Sequence, residues 1–172
     1  MKTQLTCTAL LLGALYAGTA DAQTNAKAAS AAKKETLMTA EANGTFDVKV
    51  KPLPEDEKVA GVKVGRLSID KEWKGDMTGT SKGEMMSAGG DVKGSGGYVA
   101  VEMMDVTLKG RKGTFILMHH ATMRNNADFK MLINVIPDSG TGQLTGIGGA
   151  LTIIIEGKNH SYKFDYTLPD AE

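Results

Sequence analysis

The chain has 172 residues, enough for one domain with a buried core, and its 20 basic and 20 acidic residues balance at zero formal charge. That balance, with no basic run flanked by aromatics, argues against a nucleic-acid binder, and no apolar run after the first 22 residues approaches membrane-spanning length.

Met1 to Ala22 carries Lys2, the apolar run ALLLGALYAGTA and an A-x-A site at Ala20-Asp21-Ala22, the pattern of a secretory signal cleaved after Ala22. The expected product is exported, periplasmic or extracellular. The only cysteine, Cys7, lies in the signal, so no disulfide or thiol chemistry is expected of the mature protein. Loss of Lys2 and Asp21 turns 20 and 20 into 19 and 19, and the charge balance persists.

Residues 23–42 are rich in Ala, Lys, Ser and Thr without a sustained apolar stripe, which predicts a linker, disordered or weakly helical. From Asn43 the period becomes two: Phe46, Val48 and Val50 share one side, Asp47 and Lys49 the other. A β domain is expected from 43 to 168, with 169–172 as a tail. Lys51 to Gly65, with Pro52 and Pro54, reads as an exposed connection. RLSIDKEW alternates Leu67, Ile69 and Trp73 against Ser68, Asp70 and Glu72, then turns through Lys74-Gly75-Asp76 into a second strand. SAGGDVKGSGG, 87–97, is a glycine-rich loop.

Gly97 to Met123 reads as a hairpin. With Gly110-Arg111 as a two-residue turn, one face pairs Tyr98 with Met123, Ala100 with Ala121, Glu102 with His119, Met104 with Leu117 and Val106 with Phe115. That face is apolar except for one acid and one base, which are partners. The mixed opposite face is the outer one. KMLINVIP reads as a short apolar strand buried on both faces. ALTIIIE and NHSYKFDYTL flank a turn at Gly157-Lys158 that pairs Ile155 with His160, Ile153 with Tyr162 and Leu151 with Phe164. Roughly eight strands with short turns predict an all-β fold, a single antiparallel barrel. Up-and-down order sends the long connections to one end, a mouth, and the tight turns with DSGTGQLTGIGG to the other, a floor. The glycines of that stretch precede a strand and lack a Lys-Ser/Thr ending, which makes them turn backbone with Leu144 and Ile147 as plugs rather than a phosphate loop.

VIPDSGTGQLTGIGG, GRKGTFILMHH, YVAVE and HSYKFDYTL together resemble a bacterial family of domains of unknown function with the barrel fold of plant allene oxide cyclases and dirigent proteins. The resemblance runs from about Asn43 to Leu168. It implies an eight-stranded barrel with a lumen; the plant relatives form trimers or dimers that handle apolar or phenolic molecules, and the resemblance does not imply their activity. No catalytic motif of those relatives aligns here, and none is carried over.

The chemistry the residues themselves offer is the Glu102 and His119 pair, an acid and a base within reach on an apolar face, the candidate catalytic residues. A buried pair that only fixes register is the plainer reading. Tyr98, Met104, Leu117, Met123 and Tyr162 are the expected ligand-binding residues of a lumen. His119 and His120 point to opposite faces, so no metal site is expected, and no cofactor. Three functions follow: a barrel binding a small apolar or aromatic molecule, an isomerase or cyclase moving a proton through Glu102 and His119, or a structural or homo-oligomeric barrel without ligand. A lumen of several hundred Å³ reaching Glu102 keeps the first two, and a filled interior leaves the third.

Overall fold

In a computed structural model, residues 37–54 and 63–169 are described, and eight strands run antiparallel in sequence order: β1 Leu37–Pro52, β2 Lys63–Gly75, β3 Met77–Gly89, β4 Gly96–Leu108, β5 Arg111–Arg124, β6 Ala127–Val135, β7 Gly148–Glu156 and β8 Asn159–Pro169. Each pairs with the next, and β8 returns to β1, so the sheet closes into an eight-stranded barrel, its β6–β7 seam joined at the single pair Asn134–Ala150. The signal and the first part of the linker lie outside the described residues. Among the described residues no helix is long and apolar enough to cross a membrane.

Period-two patterning places the core. Phe46, Trp73, Met104, Phe115, Leu117, Phe164 and Tyr166 point inward and are buried, whereas Val99, Val101, Met103 and Met118 of the alternate parity stand on the outer surface. β6 differs from the expectation of a strand buried on both faces: Ile133 and Val135 are buried, but Leu132, of the opposite parity, is 63% exposed. A single-layered barrel has nothing outside it to cover a second face.

β1 begins at Leu37, earlier than the alternation at Asn43 suggests, and 37–42 pair with β8 from Pro169 to Phe164. The linker therefore ends before Leu37. Met38, Ala40 and Ala42 carry the inward parity, but alanine is a weak strand signal, and the run reads as linker until β8 is placed beside it.

The β4–β5 register also differs. The turn is at Lys109-Gly110, not Gly110-Arg111, and Leu108 pairs with Arg111. Both tip residues have positive φ, 45° and 86°, the type I′ pattern whose twist matches a hairpin and favours glycine second. The Lys109 amide donates to the Asp76 carbonyl at 2.8 Å, which fixes this tip against the β2–β3 turn. Each partner is moved by two residues, so no side chain changes face. Glu102 lies opposite Leu117 and His119 opposite Ala100, which makes the acid and the base diagonal neighbours. The β7–β8 register, with Ile155 opposite His160, is the one expected.

The floor is the β6–β7 connection with its 3₁₀ turn at Gly142–Leu144. Leu144 and Ile147 are buried there. The connection lies against the lower half of β5, where the Thr141 amide donates to the Thr114 carbonyl at 2.8 Å. Gly113 permits that approach, since a Cβ there would sit 2.1 Å from the Thr141 carbonyl oxygen. Above the floor, stacked Phe115–Phe164 and Phe164–Tyr166 and the Phe46–Trp73–Tyr162 cluster fill the lower lumen, with ring centroids between 4.8 and 5.8 Å apart. Each fully buried apolar side chain of this kind contributes about 1.5–3 kcal/mol of transfer free energy.

Candidate functional site

Halfway up the barrel the apolar filling is interrupted by charge. The inward parity of β2 runs Ile69, Lys71, Trp73, so Lys71 enters the lumen between two core residues; β3 sends in Ser81, β4 Glu102 and β5 His119. These strands are consecutive neighbours, and Lys71 pairs directly with Ser81 across β2 and β3. All four residues are buried, Glu102 completely.

Glu102 is the hub. Lys71 Nζ donates to its Oε2 at 2.8 Å, and the Ser81 hydroxyl donates to its Oε1. Trp73 Nε1 donates in turn to Ser81 Oγ at 2.8 Å. His119 Nε2 lies 2.9 Å from Oε2 but without hydrogen-bond alignment, and no other group satisfies that nitrogen. Burial pushes the Glu102 carboxyl up; the His119 ring, the Lys71 ammonium and the Ser81 hydroxyl outweigh it and hold its pKa at about 2. The Lys71 ion pair and the Ser81 bond are the parts of that balance with hydrogen-bond geometry. Burial pulls Lys71 below the ordinary lysine range, against the opposing attraction of Glu102. Its Nζ also lies 4.9 and 5.0 Å from the ring centroids of Phe46 and Trp73.

Above this layer the lumen opens. A cavity of about 220 Å³ reaches down from the mouth, with Phe46, Val48, Ile69, Met85, Met131 and Ile153 among its walls and Lys71 and His119 at its base. It stops at those two residues and so falls short of the expected lumen reaching Glu102, which is fully buried and not among its lining residues. A shallower hollow of about 450 Å³ lies beside it on the rim, formed by Gly94–Gly97, Thr122 and Met123, with Tyr98 and Phe129 on the walls of both. Asn126 donates from its amide to the Gly94 carbonyl at 2.8 Å, which ties the β3–β4 and β5–β6 loops together along that rim.

Of the expected ligand-binding residues, Tyr98 lines the cavity and Met123 lines the rim hollow. Met104, Leu117 and Tyr162 lie below, packed among the floor aromatics and shielded from the cavity. The Tyr162 hydroxyl is occupied, accepting the Met77 amide at 2.9 Å. Lys71 and Ser81 escaped the reading of the sequence. The signal for Lys71 was present, since it shares the parity of Ile69 and Trp73. No group of three or more His, Cys, Asp or Glu side chains is gathered to hold a metal among the described residues.

The profile of a family described as "Protein of unknown function (DUF3224)" matches residues 42–166. A crystal structure of a DUF3224-family protein of unknown function from Shewanella oneidensis MR-1 is similar at 39% identity and a TM-score of 0.70, over 78% of this chain and 100% of that one. Among curated proteins no match was found.

Proposed function

The chain belongs to the DUF3224 family of proteins of unknown function, and from that premise we propose that it is an exported barrel that binds a small apolar or aromatic molecule in the mouth cavity. The observation that carries this is the cavity itself: apolar walls above a base where two polar side chains converge, the usual make-up of a small-molecule site. At about 220 Å³ it is below the roughly 300–1,000 Å³ of drug-sized pockets and above the roughly 150 Å³ that holds benzene, which favours a ligand of one or two rings. Residues 1–22, with their apolar run and A-x-A site, support export. The closed up-and-down order and the glycine-rich floor connection support kinship with the allene oxide cyclase and dirigent barrels. Calorimetric titration with indole tests the binding: saturable uptake by the wild type and none by Ile153→Trp, which fills the cavity from its wall, is the expected result. Equal behaviour of the two proteins would remove the reading.

A second reading, proton transfer by an isomerase or cyclase, is favoured by the position of His119 at the cavity base beside Glu102. A carboxylate held at a pKa of about 2 is a weak base, so the proton would move through His119 while Glu102 orients it. For a protein partner we infer a second copy of the chain, supported by Met86, Val99, Val101, Met103, Met118 and Leu132, which neighbour one another on the outer face of β3–β6. Sedimentation of Leu132→Lys beside the wild type tests that; identical monomers in both would exclude it.

A further inference from the structure

Lys71 is the only buried lysine among the described residues, and its side chain is 5% exposed. Only one of its three N–H donors has a hydrogen-bond partner, Glu102, and the ammonium stands over the Phe46 and Trp73 rings at the base of an apolar cavity. Ion pairs buried this deeply are commonly no more stabilising than apolar residues of the same volume, so packing alone does not account for an amine here.

We propose that Lys71 is a nucleophile that captures a small apolar aldehyde or ketone as a Schiff base at the base of the mouth cavity, with His119 carrying the proton. This rests on the cavity being a ligand site. The ammonium gives one proton to His119 Nε2, which lies with Lys71 Nζ against Glu102 Oε2 and has no hydrogen-bond partner, and the free amine attacks the carbonyl carbon. The C–N bond forms as the carbonyl π bond opens, and the oxygen takes a proton from the nitrogen. The resulting carbinolamine takes the proton held by His119 onto its hydroxyl and loses water. An iminium remains opposite a carboxylate, where an ammonium had stood. The buried charge is thus the same before and after, and the cation stays over the two rings. A carboxylate ligand would instead add a second anion beside Glu102. Desolvation, which already lowers the lysine, raises the share of free amine, and walls of Ile69, Met131 and Ile153 limit the return of water to the imine.

Benzaldehyde with cyanoborohydride on the full-length folded protein, followed by peptide mass spectrometry, tests this. A benzyl group should appear on Lys71 several-fold ahead of exposed lysines such as Lys82 and Lys130. Lys71→Arg keeps a cation opposite Glu102 but lacks the amine, and should lose that adduct while retaining its melting transition. Benzylation of Lys71 no faster than of Lys82 overturns the proposal. Toluene, followed by NMR, separates the two claims: toluene binding without a Lys71 adduct ends the capture proposal alone, and absence of both ends the ligand reading with it.

Discussion

Glu102 is a carboxylate with no contact with water, held by one ammonium, one hydroxyl and one imidazole. Removing it leaves the Lys71 charge buried and unpaired, so Glu102→Ala is expected to cost about 3–5 kcal/mol in urea unfolding. Glu102→Gln retains an acceptor for Ser81 and should cost less. The pH dependence has a definite sign. The folded pKa of about 2 lies below the unfolded value of 4.5, so the contribution is complete above 4.5 and is lost as pH falls from there through about 2. Its size is about 3 kcal/mol. Acid titration of stability should therefore be shallower for Glu102→Gln than for wild type over that window, and parallel curves would show that the carboxylate is not held down. Glu102 and His119 were legible because a polar residue stands out on an apolar strand face. Lys71 was not, because a lysine flanked by Asp70 and Glu72 has exposed ion-pair partners on its own strand, and only its parity with Ile69 and Trp73 marks it as inward.

At the scale of elements, two junctions set the site. The Lys109-Gly110 tip fixes where β4 meets β5, and Gly110 has φ 86° with open space where a Cβ would point. Gly110→Ala should therefore cost only the conformational term, about 1 kcal/mol, by thermal melting, and a much larger loss would imply a contact not seen here. The expected turn was one position late because glycine suits the first place of a II′ turn as well as the second of a I′ turn, and local sequence does not choose between them. Both registers place the same side chains on each face, because they differ by two residues, the period of the strand. β1 was read too short for a different reason: its first residues are held by β8, a partner over a hundred residues away. A chain beginning at Asn43 should lose about 3 kcal/mol or more relative to one beginning at Leu37, since it forfeits several ladder hydrogen bonds and the buried Ala42, and equal melting would contradict this pairing.

The barrel formed by the described residues is filled in one half and open in the other. Tight turns and the β6–β7 connection seal one end over the aromatic floor; the connections β3–β4, β5–β6 and β7–β8 lie at the other. The charged layer sits where filling gives way to cavity, so whatever enters the mouth meets Lys71 and His119 last. The two ends could be sorted from loop lengths alone, because up-and-down order forces connections to alternate. How far the filling rises could not, since it depends on side chains from all eight strands meeting across the lumen. The most direct measurement of the central claim is methyl NMR of the protein titrated with toluene. Saturable shifts at Ile69, Met131 and Ile153 of the cavity wall, with Leu144 and Leu168 of the floor unmoved, are the expected result. Shifts confined to outward residues such as Leu132 and Met103, or none that saturate, would contradict it.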